Sequence, residues 1–168
     1  MSNVTLKGNP VTLAGKFPSV GDTAPDFTVV KNDLSEQTLS ALRGKKVVLN
    51  IFPSVDTAVC ALQLKSFSQR LAGRDDVAAV YVSMDLPFAL GRFCAAEGVS
   101  NAITGSDFRH RSLAEHYGVG ITDGPLAGLY ARATLVLDKD LKVRHAELVS
   151  DITHEPDYEA AMKALNAL

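Results

Sequence analysis

Three runs along the chain are apolar almost without a break: Lys46–Phe52, Val77–Val82 and Ala133–Leu137. Strands covered on both faces carry that pattern, whereas a strand with one wet face alternates. Between and after these runs the apolar positions fall at helical spacing, over Ala58–Leu71, Pro87–Glu97, Ser112–Tyr117 and Pro156–Leu168. In the last of them Tyr158, Ala161, Met162 and Leu165 stand at i, i+3, i+4, i+7, and Pro156 occupies the place of a first helical residue. A shorter strand is predicted near Phe27–Val30, and Val4–Leu13 reads as a β-hairpin around a Gly8-Asn9 turn. Strands alternating with helices predict an α/β layer structure with parallel neighbours in the middle. The stretch from Ala133 to Val149, broken at Asp138-Lys139-Asp140, predicts an antiparallel pair before the final helix. Four of the 12 glycines fall between Gly118 and Gly128, which predicts a loop there.

Composition narrows the class without naming a chemistry. A chain of 168 residues, 46% hydrophobic and 21% charged, is expected to form one domain over 1–168, with 1–15 as an amino-terminal hairpin extension. No apolar run approaches the roughly 18 residues of a membrane span. The start carries no basic patch followed by an apolar stretch, so a cytoplasmic protein is expected. A net charge of −2 gives no general attraction to nucleic acid or anionic lipid. The two cysteines, Cys60 and Cys94, are too few for a disulfide scaffold and too far apart for a C-x-x-C dithiol. His110, His116, His145 and His154 show no metal-ligand spacing to one another or to the cysteines, so no metal is expected.

Candidate chemistry starts at Pro53, where the first apolar run stops. Ligands of α/β sheets bind beyond the carboxyl ends of strands, so Pro53–Cys60 is the favoured place. Asp56 or Thr57 can cap the following helix, and Cys60 then lies in its first turn. The dipole and unpaired amides of a helix start favour a thiolate, the nucleophilic form of cysteine. Thr57, three residues earlier, has its hydroxyl in reach of the sulfur or of something bound to it. Placement alone leaves a buried core cysteine equally open, since Cys60, Leu64, Phe67 and Leu71 share one helical face. By the same reasoning Cys94, in a stripe with Leu90 and Phe93, reads as packing, and Arg132 as a surface arginine at a strand end.

The segment Pro53-Ser54-Val55-Asp56-Thr57-Ala58-Val59-Cys60 matches Pro-x-x-x-Thr-x-x-Cys. It is accompanied in order by Leu86-Pro87-Phe88-Ala89, Arg92-Phe93-Cys94, Gly124-Pro125-Leu126, Ala131-Arg132-Ala133 and Glu155-Pro156-Asp157-Tyr158-Glu159. Over essentially its full length the chain resembles the thiol peroxidase subfamily of bacterial peroxiredoxins, of the atypical two-cysteine type. The resemblance implies a thioredoxin-like fold, with a central mixed sheet flanked by helices, plus the amino-terminal hairpin. It implies a cofactor-free peroxidase acting on hydrogen peroxide and alkyl hydroperoxides in antioxidant defence. By the same resemblance Cys60 matches the peroxidatic cysteine, and Thr57 the residue whose hydroxyl bonds to sulfur and peroxide. Pro53 matches the residue shielding the pocket from water, and Arg132 the arginine that stabilises thiolate and polarised O–O bond. Cys94 matches the resolving cysteine, which forms an intrachain disulfide with Cys60 that thioredoxin reduces. A homodimer is implied too. Ala58 departs from the pattern, standing where many members have proline.

Cys60 in a helix start and Cys94 on another helix are not expected to meet within the roughly 7 Å between α-carbons that a disulfide needs, so the turn around Cys60 is expected to unwind. The alternative to a peroxidase is a non-catalytic thiol redox switch, which needs a reactive thiol but no group to polarise a peroxide. Other motifs fall away. Gly118-Val-Gly120-Ile-Thr-Asp123 lacks the third glycine of a dinucleotide loop, Arg43-Gly44-Lys45-Lys46 reads as a solvated turn, and Asp75-Asp76 as a turn before a strand.

Overall fold

The structure is a computed structural model that describes residues 3–99 and 101–168. In chain order β1 (Thr5–Leu6) and β2 (Asn9–Pro10) form a small hairpin. There follow β3 (Thr28–Val30), β4 (Glu36–Thr38), β5 (Lys46–Ile51), α1 (Ala58–Arg70), β6 (Val77–Ser83), α2 (Pro87–Glu97) and β7 (Ile103–Ser106), and then α3 (Ser112–His116), β8 (Ala133–Leu137), β9 (Val143–Leu148) and α4 (Tyr158–Asn166). Apart from the hairpin, the strands make one mixed seven-stranded sheet in the order β4-β3-β7-β6-β5-β8-β9. The pairs β5–β6 and β6–β7 are parallel, and β5–β8 and β8–β9 antiparallel. This is the thioredoxin-like arrangement with an added amino-terminal hairpin.

The three apolar runs are the interior strands β5, β6 and β8, buried along almost their whole length. Alternate residues of each serve opposite faces, as strand geometry requires. Val47, Leu49 and Ile51 of β5 pack with Ala133, Leu135 and Leu137 of β8 beneath Leu113, Ala114 and Tyr117. Val48 and Phe52 pack with Val136 on the other face, under Cys60, Leu64 and Phe67 of α1, Leu90 of α2, and Ala161 and Leu165 of α4. That second face holds the candidate residues. Among the described residues no helix is long and apolar enough to cross a membrane.

Two local expectations need correction, and two strands were not foreseen. The hairpin turn is Lys7-Gly8, not Gly8-Asn9: Leu6 pairs with Asn9, and both turn residues have positive φ, +50° and +83°. A two-residue hairpin turn of this hand needs left-handed backbone at both positions, and glycine supplies it at the second. The last helix begins at Tyr158, because the Asp157 carboxylate accepts from the Ala160 amide (3.0 Å) and caps the helix there, leaving Pro156 outside. Strands β4 and β7 carried no apolar run to mark them. In β7, Gly105 is required by packing, since a Cβ there would stand 2.3 Å from Cγ2 of Val29.

Candidate active site

At the carboxyl end of β5 the chain leaves the sheet through Pro53, which is buried, and reaches α1 by a tight loop. Asp85, just beyond the end of β6, anchors that loop. Its carboxylate accepts from the Ser54 hydroxyl (2.7 Å), the Val55 amide (2.9 Å) and the Ser83 hydroxyl (2.6 Å). Thr57 is the N-cap by position, with extended backbone, but its side chain does not cap the helix. The Thr57 hydroxyl instead donates to the Ser54 carbonyl at 2.9 Å. Its proton is therefore committed backwards into the loop, and the lone pairs of its oxygen remain as acceptors.

Cys60 lies in the first turn of α1 and is fully buried. Arg132, a surface residue by its own neighbours but the thiolate's partner by the family resemblance, is also buried, with 2% of its area exposed. The register of β8 explains the difference. Ile51 pairs with Ala133, so Arg132 falls at the same end of the sheet as Phe52 and Pro53. It shares the parity of Thr134 and Val136, which face α1.

The Arg132 guanidinium is held on two sides. Its Nε and Nη2 donate to the Ile152 carbonyl at 3.0 and 2.8 Å. Its Nη1 donates to Oε1 of Gln63 at 3.0 Å and to Sγ of Cys60 at 3.2 Å. Gln63, one turn after Cys60, passes the chain on: its Nε2 donates to Oδ1 of Asn50 (3.0 Å), which also accepts from the Thr134 hydroxyl (3.2 Å). Arg132, Gln63, Asn50 and Thr134 are all buried. Among the described residues Arg132 forms no ion pair with a carboxylate.

A buried guanidinium without a carboxylate, directed at a cysteine in a helix start beyond a parallel strand, is a thiol site. Comparison with known proteins agrees. The Redoxin family matches residues 19–162. A thiol peroxidase of Leptospira interrogans is 53% identical over 169 residues, covering 99% of each chain. The chain belongs to the thiol peroxidase family of peroxiredoxins. Solved structures concur: a peroxiredoxin-like protein of Aquifex aeolicus superposes with a TM-score of 0.92 at 43% identity, over 98% of this chain and 96% of the other. The thiol peroxidase of Chromobacterium violaceum gives 0.89 at 25% identity, over 98% and 95%. Membership makes the chain a peroxiredoxin enzyme and removes the non-catalytic switch.

In this peroxiredoxin the structure brings Cys60 and Arg132 together, with Thr57 and Pro53 on the loop beside them. Cys94 stands apart on α2. It is largely buried, and burial raises its thiol above the ordinary value. Burial likewise raises the Tyr81 phenol, with a charge on Cys94 a smaller cause in the same direction. The Tyr81 hydroxyl in turn meets that of Ser68, eight residues along α1 from Cys60. Neither cysteine is in a disulfide.

Sequence reasoning missed Gln63, Asn50 and Asp85. A signal existed for the first two. Asn50 interrupts an otherwise apolar strand, and Gln63 lies one turn from Cys60 on the packed side of α1; buried amides need partners.

Proposed function

We propose that Cys60 is the peroxidatic nucleophile of a hydroperoxide reductase, and that Arg132 is its electrostatic partner. The observation that carries this reading is the 3.2 Å contact from Nη1 of Arg132 to Sγ of Cys60 in a buried site without a carboxylate. A guanidinium is permanently charged, and a buried charge needs a counter-charge. The Cys60 thiolate supplies it. Four N–H groups of Arg132 are engaged by Ile152, Gln63 and Cys60, and the remaining one, on Nη2, is available to a peroxide oxygen.

The thiolate attacks the terminal oxygen of the hydroperoxide. An S–O bond forms as the O–O bond breaks, and the departing oxygen takes up one proton, equal to the one Cys60 released to solvent on ionising, to leave as water or an alcohol. The Arg132 fork stabilises the charge moving from sulfur to that oxygen. The Thr57 oxygen, its own proton held by Ser54, accepts from the peroxide hydroxyl and helps align it. Pro53, buried and without an N–H, keeps the floor of the pocket dry. Cys60 is then a sulfenic acid.

Cys94 resolves it: its sulfur attacks the Cys60 sulfur, expels water and forms the intrachain disulfide. Cys60 lies in the first turn of α1, whereas Cys94 is on a different helix, α2. A disulfide needs α-carbons within about 7 Å, so the first turns of α1 unwind before resolution. A thioredoxin-type dithiol returns both cysteines to thiols by exchange, itself becoming a disulfide. We assign the reaction to the cytoplasm, where such a dithiol is kept reduced, and to a homodimer. Exposed Leu86 and Phe88, next to Asp85, offer apolar surface that a second copy would cover.

The test is intact mass and thiol count after one equivalent of hydrogen peroxide. The wild type is expected to lose two hydrogens and both thiols, Cys94→Ser to gain one oxygen on Cys60, and Cys60→Ser to stay unreacted. Unreacted thiols in the wild type would overturn the reading.

A further inference from the structure

The Ile152 carbonyl that receives two of the Arg132 bonds belongs to a segment gripped by the amino-terminal hairpin. The Thr5 amide donates to the Ser150 carbonyl (2.9 Å), and the Ile152 amide donates to the Thr5 carbonyl (2.9 Å). Between these two bonds sits Asp151, itself buried. Its Oδ2 accepts from the Thr5 hydroxyl (2.7 Å) and the Gly8 amide (3.0 Å). Its Oδ1 accepts from the Lys7 amide (3.3 Å) and from the amide and hydroxyl of Thr153 (3.0 and 2.6 Å).

We propose that Asp151 is a positioning residue for peroxide reduction, locking the hairpin onto segment 150–153 so that the Ile152 carbonyl orients the Arg132 guanidinium over Cys60. The proposal rests on the assignment of Arg132 above. The two carboxylate oxygens tie both strands' connecting turn to the residue immediately before Ile152, so a shift of the hairpin is a shift of that carbonyl. Nε and Nη2 share this single acceptor, and with Gln63 on the other side it sets the direction of the whole fork. The hydroxyls of Thr153 and Thr5 hold the Asp151 carboxyl well below the usual carboxylate range. The latch therefore persists through mildly acid solution, its contribution being lost only as pH falls toward that depressed value. The left-handed turn at Lys7-Gly8 serves the same contact, since it points both amides at one carboxylate.

The experiment measures the second-order rate of Cys60 oxidation by hydrogen peroxide in Asp151→Ala, Thr5→Val, Thr5→Ser and Arg132→Met, and in Asp151→Ala combined with Arg132→Met. Small misplacements of a catalytic group cost on the order of ten- to a hundredfold, so Asp151→Ala is expected to lose at least about tenfold. Thr5→Val, which keeps shape and removes one bond of the latch, is expected to lose about threefold, and Thr5→Ser to stay near the wild type because the hydroxyl remains. In the Arg132→Met background Asp151→Ala should cost nothing further, because the group it orients is gone. Full rates in both Asp151→Ala and Thr5→Val, an equal loss in the Arg132→Met background, or a Thr5→Ser as slow as Thr5→Val would each overturn the latch. If Asp151→Ala does not fold, the two Thr5 variants decide alone. A normal rate in Arg132→Met would instead refute the role of Arg132, an outcome separate from failure of the latch.

Discussion

Replacing Arg132 by Met removes the charge and all N–H groups while keeping a long apolar stem, and the structure predicts a separation between rate and stability. The rate term comes from the bond to Cys60 and the remaining N–H on Nη2. Removing one preorganised donor aimed at charge that develops in a reaction costs about 2.7–4 kcal/mol, or 10²–10³ in rate. The stability terms oppose each other. The Ile152 carbonyl and Oε1 of Gln63 lose their donor, and an unsatisfied buried acceptor costs about 1–3 kcal/mol. Against this, the variant no longer desolvates the guanidinium, a penalty of several kcal/mol that its interaction with Cys60 offsets only in part. The terms nearly offset, so the variant stays folded with a urea midpoint close to its parent. The assay uses the Cys94→Ser background, where the reaction stops at the sulfenic acid. The chain has no tryptophan to report by fluorescence, so rapid quenching with mass detection follows the added oxygen. A rate within about threefold of the parent, in a folded variant, would refute the reasoning, because that corresponds to less than about 0.7 kcal/mol of barrier.

Gln63→Leu removes one acceptor from Arg132 and one donor to Asn50 while filling similar space. It should slow peroxide reduction by about tenfold and lower stability by about 1–3 kcal/mol, read by rapid quench and urea unfolding. Asp85→Ala frees the Ser54 hydroxyl and the Val55 amide; faster hydrogen exchange at residues 54–57 than in α2 is expected, and unchanged exchange would exclude Asp85 as the anchor. Burial raises the Cys94 thiol, so the folded chain keeps that proton past the ordinary value of about 8.5 while the unfolded chain releases it. That contribution is complete below the ordinary value and is lost as pH rises through the folded one. Stability of Cys60→Ser should thus fall more steeply between pH 8 and 10 than that of Cys60→Ser/Cys94→Ala; equal slopes would show that burial of Cys94 is unimportant.

Local pattern alone determined β5, β6 and β8, the limits of α2, the stripe that carries Cys60 into the core, and the loop from Gly118 to Gly128. Each reports burial along one element, and periodicity is a local property of the chain. The peroxidase motif was legible for a similar reason, since Pro53, Thr57 and Cys60 sit within one loop and one helical turn. Arg132 was different. Its own neighbours mark only a strand end, and it becomes buried because β8 enters antiparallel beside β5 with Ala133 opposite Ile51. The direction of the Thr57 hydroxyl, the reach of Gln63 to Asn50, and the grip of Asp151 on the hairpin are decided the same way, by partners that meet only after the sheet has closed. Hydrogen bonds between polar groups are satisfied across the fold, the one from Thr5 to Asp151 spanning 146 positions, so no window of sequence can contain both ends.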